Sequence, residues 1–305
     1  MTDDFLHIAY GTPPLELLKL REDAIQCSPL IPGSRSLESC AKGSVASAVL
    51  YGPPGTLERR YLLVLALEAL AVDAPLTALA PKNKGGNRIA AELSSFGCDV
   101  SEESRQHFRI CTTTRPAVLH SVAEAIKEGG TQRHLDHGLL TQPGIFSWNR
   151  IDAGSALLLK HLPALAGRGA DLGCGLGVLG LAVLQSPKIS ALTLVDIDRR
   201  AVDVARHNIT DPRAQFLWAD IRLEVPSLAN LDFVVMNPPF HDGGVEDRSL
   251  GQLFIERAAT VLRRGGICWL VANRHLPYEE LLAHKFTRTT LVAQVDGFKI
   301  YAAEK

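Results

Sequence analysis

Asn237-Pro238-Pro239-Phe240 is the stretch of the 305-residue sequence whose residue types point most directly to chemistry. An amine on a planar heteroaromatic ring is a poor nucleophile, because its lone pair is delocalised into the ring. Two acceptors, the Asn237 side-chain oxygen and the Pro238 carbonyl, can take its two N–H bonds. They would draw the nitrogen toward a tetrahedral shape and aim its lone pair at a methyl carbon. Orientation of this kind supplies rate without a strong general base. Phe240 adds a ring face on which a base can stack, worth about 1–3 kcal/mol per base. The bland alternative is a turn stiffened by Pro238 and Pro239 that ends on a core phenylalanine.

A second cluster lies upstream. In Asp171-Leu-Gly173-Cys174-Gly175-Leu-Gly177-Val-Leu-Gly180, glycines let the backbone approach a ligand closely at a strand-to-helix turn. Gly175-x-Gly177-x-x-Gly180 also spells the dinucleotide fingerprint, so an NAD-dependent dehydrogenase stands beside a methyltransferase at this point. Asp171 tilts the choice: a carboxylate there would repel a pyrophosphate, but it can hold the ammonium, or an ordering water, of a methionine moiety. S-adenosylmethionine carries no phosphate. Asp196 ends the next apolar run, placed for both ribose hydroxyls, and Asp220 follows the third, placed for an adenine amino group. Ile197 and Ile221 join them in the expected cofactor set, as does Asn237. Each aspartate has a second reading as a helix cap, and Asp198 is expected to cap the helix starting near Arg199. Their joint occurrence at successive strand ends argues for a ligand crevice.

The elements that must position these residues follow from hydrophobic patterning. Short apolar runs at Ala170–Leu172, Ala191–Asp196, Ala214–Trp218, Phe233–Met236 and Ile267–Ala272 alternate with helical patterns. That alternation specifies a doubly wound α/β fold with a parallel sheet. Thr290–Val295 and Phe298–Ala302 around Asp296-Gly297 read as a terminal antiparallel hairpin. The first half repeats the pattern faintly, with strands at Ala48–Tyr51 and Leu76–Ala80 and helices at Leu57–Val72 and Asn87–Phe96. Its loop Tyr51-Gly-Pro-Pro-Gly55 has no acidic residue ahead of the glycines and no Gly-Lys-Ser/Thr ending, so a structural turn is its better reading and a failed cofactor loop the other.

Several motifs together carry a resemblance. Asp171-x-Gly-Cys-Gly, Asn237-Pro-Pro-Phe-His-Asp-Gly243, Ala272-Asn-Arg-His-Leu-Pro-Tyr278 and Gly297-Phe-Lys-Ile-Tyr301 resemble the bacterial ribosomal RNA guanine-N2 methyltransferases, most closely the small-subunit branch. Pro143-Gly-Ile-Phe-Ser147 matches the segment just ahead of that domain, and the likeness runs from about Gly138 to the C-terminus. It implies tandem Rossmann-like methyltransferase domains: residues 1–135 degenerate, without cofactor, serving stability and RNA docking, and residues 136–305 catalytic. The catalytic domain is then a seven-stranded, mostly parallel sheet. S-adenosylmethionine is the implied cofactor and ribosomal RNA, within a small subunit, the implied partner of a monomeric chain. The family's shape implies Phe146 and Arg150 over the cofactor mouth, with His241, Arg274 and Lys299 near the substrate. One departure concerns Gly167-Arg-Gly-Ala-Asp171, a weak run where the family has a long β-branched strand.

Composition narrows the rest. A net charge of −1 makes the chain no basic clamp, so RNA must be held by local patches. The longest apolar run, Tyr61–Val72, is interrupted by Glu68 and too short for a bilayer, and Met1–Tyr10 has no signal-peptide pattern, so a cytoplasmic location is expected. The six cysteines are scattered and read as reduced thiols; no metal site is expected. His241, His275 and the pair His134/His137 read as loop histidines. Because an Asn-Pro-Pro-aromatic turn serves any planar amine, adenine-N6, glutamine-N5 and large-subunit guanine remain open. Phe240, where tyrosine is usual in the first two classes, favours guanine. A silent RNA-binding assembly factor is the non-enzymatic alternative, and a cofactor titration separates it.

Overall fold

The computed structural model describes residues 6–134, 136–239, 241–242, 245–246 and 248–305. The chain folds as two compact units: one runs to Gln132 and includes Gln142–Gly144, the other comprises Arg133–Thr141 and Ile145–Lys305.

The first unit holds a six-stranded sheet built from β1 (Leu6–Tyr10), β2 (Ile25–Gln26), β3 (Val45–Tyr51), β4 (Pro75–Pro81), β5 (Ser101–Arg105) and β6 (Phe108–Thr114), in the order β2-β1-β3-β4-β6-β5. Helix α1 (Thr56–Ala69) joins β3 to β4, α2 (Ile89–Ser95) precedes β5, and α3 (Val122–Gly129) follows β6. Two-residue strands β7 (Gln132–Arg133) and β8 (Leu140–Thr141) pair in the connecting segment.

The second unit opens with α4 (Ala153–His161) and continues through β9 (Gly167–Leu172), α5 (Val178–Val183), β10 (Ile189–Asp196), α6 (Arg199–Asn208), β11 (Ala214–Trp218) and β12 (Leu231–Met236). After a two-residue ladder, β13 (His241–Asp242) with β14 (Val245–Glu246), come α7 (Arg248–Val261), β15 (Leu262–Asn273), α8 (Glu279–Lys285), β16 (Arg288–Val295) and β17 (Phe298–Glu304). The seven strands run β11-β10-β9-β12-β15-β17-β16, parallel except where β17 meets β15 and β16. The central strands are buried on both faces, as a covered parallel sheet requires. Ala170, Val234, Met236 and Leu270 pack with Phe254 and Ile255 of α7 and Leu282 of α8. Phe233, Val235, Trp269 and Val271 pack on the other face with Leu158 of α4, Leu179 of α5 and Ala205 of α6.

The weak run ahead of the cofactor loop is a full strand. β9 pairs with both β10 and β12, and a side chain at Gly169 would sit 2.2 Å from the Phe233 ring. The large neighbour supplies the bulk that the glycine lacks. The terminal hairpin turns as expected, with Asp296 and Gly297 both at positive φ, 51° and 81°.

Two expectations about the first half need correction. The strands β1, β2, β5 and β6 escaped the sequence reading, being two to seven residues long and either followed by a segment containing proline or, as in β5, fully exposed. Because β1 and β2 precede it, Tyr51-Gly-Pro-Pro-Gly55 is not a failed cofactor loop. Counted from the hairpin, β3 holds the place that β12 holds in the second sheet. The loop is therefore the counterpart of Asn237-Pro-Pro, with Gly52 where Asn237 stands. The counterpart of the cofactor loop follows β1, where Gly11-Thr-Pro-Pro14 runs on with no helix among the described residues.

Candidate active site

The loop after β9 is shaped by its glycines. Gly173, Gly175 and Gly177 all have positive φ (76°, 51° and 84°), a region that costs other residues strain. Gly173 and Cys174 donate backbone N–H bonds to the Val195 carbonyl at 2.8 and 3.0 Å, tying the loop to β10. A side chain at Gly180 would lie 2.6 Å from Leu194, so the glycine lets α5 pack closely on the sheet.

Asp171 is fully buried at the end of β9. Its Oδ2 accepts from Gly180 N at 3.1 Å, while Oδ1 meets no donor among the described residues. Burial, reinforced by the nearby Asp196 carboxylate, pushes Asp171 up to about 7. Leaving a buried acceptor unmet is costly. A cationic or hydrogen-bonding ligand group would satisfy it, which fits the ammonium or an ordering water of S-adenosylmethionine. Asp196, half-buried at the end of β10, accepts from Gly175 N and Asp198 N, each at 2.9 Å, and burial pushes it up to about 6 against those bonds. Asp198 caps α6, accepting from Arg200 N at 2.9 Å.

Asn237 lies one residue past β12, as Gly173 lies one residue past the neighbouring β9, whose Leu172 pairs with Met236. Its Nδ2 donates to Asp152 Oδ2 at 2.7 Å and to Ser155 Oγ at 2.9 Å, so both amide hydrogens have partners. Oδ1 is left with no donor among the described residues. Asp152 is itself the N-cap of α4, accepting from Ser155 N at 2.8 Å.

Asn237 lines an open-mouthed cleft together with Gly173, Cys174, Gly175, Asp152 and Ser155, whereas Asp171, Asp196 and Gly177 are not among its lining residues. Phe146, Arg150 and Ile151 form its lip; Phe146 is 58% exposed and Ile151 41%. The lip is anchored from behind. Ile145 packs on Leu176, Ala201 and Val204, and Thr141 Oγ1 donates to the Trp148 carbonyl at 2.8 Å. Asn208, at the end of α6, pairs with both backbone groups of Leu140 and also donates to the Leu176 carbonyl of the glycine loop at 3.0 Å. Burial holds the Cys174 thiol well above its ordinary value, so it lines the cleft as a neutral group.

Other expected site residues lie apart from the cleft walls. Ile197 is half-buried, its carbonyl held by Trp218 Nε1 at 2.8 Å, and Ile221 is buried with its carbonyl accepting from Arg257. Asp220 follows β11, but Arg222 clamps its carboxylate at 2.7 Å and holds it below the usual carboxylate range. Lys299 pairs with Glu279 and is 13% exposed, whereas Arg274, just past β15, is exposed. Pro238 is buried and Pro239 half-buried. Phe240 lies outside the described residues, as does the His241 side chain. Asp152, Ser155 and Ile151 were not read from the sequence. The first two carry an Asp-x-x-Ser cap signature ahead of an apolar run, which signals a helix start but not a second bond to Asn237.

Comparison with known proteins gives three likenesses. Residues 136–302 match the family described as Methyltransferase small domain. The ribosomal RNA small subunit methyltransferase C of Pseudomonas aeruginosa (strain LESB58) is 33% identical over 289 residues, covering 92% of this chain and 86% of the relative. That of Shewanella sp. (strain MR-7) is 30% identical over 272 residues, covering 85% and 77%. Among solved structures, the T. thermophilus 16S rRNA N2 methyltransferase (RsmC), in complex with AdoMet and guanosine, superposes with a TM-score of 0.79 at 26% identity. It covers 100% of this chain and 90% of that one.

Proposed function

The chain belongs to the family of the ribosomal RNA small subunit methyltransferase C proteins, its second half to the Methyltransferase small domain family, and from that premise we infer its reaction. It transfers a methyl group from S-adenosylmethionine to the exocyclic N2 of a guanine in ribosomal RNA. The observation that carries this reading is a juxtaposition in one cleft. An asparagine whose amide hydrogens are both engaged, leaving its oxygen for a substrate, stands beside the loop backed by a buried, half-satisfied aspartate.

When bound, the cofactor supplies a methyl group made electrophilic by its sulfonium. The chain's own residues do the rest. Asp171 Oδ1 takes a donor from the methionine end, directly or through water, and Asp196 faces the ribose hydroxyls. Ile197 and Ile221 flank the adenine, and the glycine loop leaves room for the methionine chain. Asp220 reaches the adenine amino group only if Arg222, 43% exposed, swings toward solvent. Asn237 Oδ1 and the Pro238 carbonyl accept the two N2–H bonds and direct the nitrogen lone pair at the methyl carbon. The N–C bond forms as the C–S bond breaks, its electron pair stays on sulfur, and a proton leaves the nitrogen for water. Phe240 stacks on the guanine. Phe146 and Arg150 meet the RNA at the mouth, and Arg274, His241 and Lys299 serve as further RNA contacts, Lys299 once released from its pair with Glu279.

The same proposal assigns the small ribosomal subunit as the partner, the cytoplasm as the location and a monomer as the working state. The first unit serves as a docking and stabilising body without cofactor, with Lys82, Lys84 and Arg88, on the turns after β4, as phosphate contacts. Incubating the protein with undermethylated small subunits and labelled cofactor, then mapping methylated nucleotides by mass, tests the reading. N2-methylguanine in small-subunit RNA is expected. Label on adenine N6 or on protein would transfer the site to one of the other amine-directed reactions.

A further inference from the structure

We propose that Asp152 is a positioning residue for methyl transfer, fixing which end of the Asn237 amide faces the substrate and strengthening that end as an acceptor. The inference rests on the amine-clamp reading of Asn237 and extends it.

An asparagine amide presents an acceptor on one side and two donors on the other, and the reaction needs only the acceptor. If the amide flipped, two N–H groups would face a guanine amine that also offers N–H groups, and the clamp would repel what it should hold. The structure blocks the flip by satisfying both hydrogens of Nδ2. One goes to Asp152 Oδ2 at 2.7 Å and the other to Ser155 Oγ at 2.9 Å. With a carboxylate on this side, the flipped amide would set its oxygen against Asp152. Only one orientation is compatible with a charged acceptor.

The same bond polarises the amide. A carboxylate drawing on the N–H end pushes electron density toward Oδ1, because linked hydrogen bonds reinforce one another. The oxygen aimed at the amine is thus a better acceptor than a free amide oxygen. Geometry also fixes Asp152 itself. Its Oδ2 accepts from Ser155 N as the cap of α4, so a helix end, not a loop, sets its position. Gly154 leaves it room, since a side chain there would lie 3.0 Å from that oxygen.

Capping and positioning can be separated by side-chain length. In Asp152→Ser the hydroxyl still caps α4, because serine is as good an N-cap as aspartate, but it is too short to reach Asn237. Single-turnover methylation of small subunits, cofactor titration and thermal melts are measured on the full-length parent, Asp152→Ser, Asn237→Ala and the double variant. Asp152→Ser should lose about tenfold or more in the methyl-transfer rate, as when an oriented polar group is misplaced. Its melting temperature should match the parent's and its cofactor affinity should stay within about twofold. On the Asn237→Ala background the Asp152 substitution should cost nothing further, because its partner is gone. Asp152→Asn, which keeps an acceptor oxygen but no charge, should recover part of the rate. A folded Asp152→Ser enzyme at parental rate, or a loss that adds in full to that of Asn237→Ala, overturns the proposal while leaving the amine clamp standing. Parental turnover in Asn237→Ala alone overturns the clamp, and the positioning role with it.

Discussion

In the first unit β3 runs into Tyr51-Gly52-Pro53-Pro54, and in the second the corresponding strand β12 runs into Met236-Asn237-Pro238-Pro239. The two sheets correspond strand for strand from the terminal hairpin inward, except that the first has no counterpart of β11 among the described residues. The helices between matching strands agree in length as well, 14 residues for α1 and α7 and seven for α2 and α8. What differs is the other face and the strand ends. The face that α4, α5 and α6 cover in the second unit carries in the first a small cluster around Leu17, Leu79 and Ile110. No aspartate ends β1 or β2, and Gly52 stands where the second unit has Asn237. The architecture that places a site can thus persist where the side chains that would use it are missing.

In place of that chemistry the first unit has a structural lock. Arg59 is fully buried, paired with Glu92 at 2.6 Å, and donates to the Pro53 and Pro54 carbonyls at 2.9 and 3.0 Å. The Pro-Pro turn that is proposed to present a substrate acceptor in the second unit is tied to a buried cation in the first. Glu92→Ala should produce the largest effect on this contrast: it strands the Arg59 charge and should destabilise the first unit by about 3–5 kcal/mol. Denaturant unfolding followed beside cofactor titration checks it, with cofactor affinity unchanged; a shift in affinity as large as the stability loss would mean the two units do not divide labour as argued.

Asn237→Ala comes next, with a loss of turnover on the order of a hundredfold or more at nearly constant cofactor affinity. Methylation kinetics on small subunits decide it. A folded variant within a fewfold of the parent would erase the functional distinction between Asn237 and Gly52.

A smaller effect concerns proton linkage. Burial raises Asp171 to about 7 and Asp196 to about 6, above the ~3.9 of an exposed aspartate. The folded protein therefore binds more protons than the unfolded chain between about pH 4 and 7, so stability without cofactor should fall as pH rises through that window. On the proposed pairing of cofactor with the ionised Asp171, cofactor should bind about tenfold more tightly at pH 8 than at pH 6. Asp171→Asn should flatten both profiles. A pH-independent affinity in the parent would remove Asp171 from the methionine end.

The smallest expected change tests the first unit's basic turns. Neutralising Lys82, Lys84 and Arg88 should flatten the salt dependence of RNA binding by roughly 0.7–0.9 of a slope unit for each phosphate left without its cation. Filter binding across a salt series measures it, and an unchanged slope would take these residues out of the RNA footprint.

The sequence by itself determined the period of the strands in the second unit and the strand ends at which the proposed site residues stand. Asp196 ends its apolar run, Asp171 stands one residue before the end of its strand and Asn237 directly after its own, and the runs are parallel strands of the sheet. These signals are local: a strand's two buried faces and a glycine turn are written in consecutive residues. The short strands of the first unit were not legible, because two to seven residues without strong apolar runs look like loop until neighbours supply their hydrogen bonds. Gly169 made β9 look weak until Phe233 filled its space. The correspondence of Tyr51–Gly55 to the clamp depends on strand order, which no local pattern encodes. Asp152 reads locally as a helix cap, and only tertiary structure brings it to Asn237, 85 residues along the chain. Contacts at that separation depend on how α4 packs against the end of β12, and that is decided by the core as a whole.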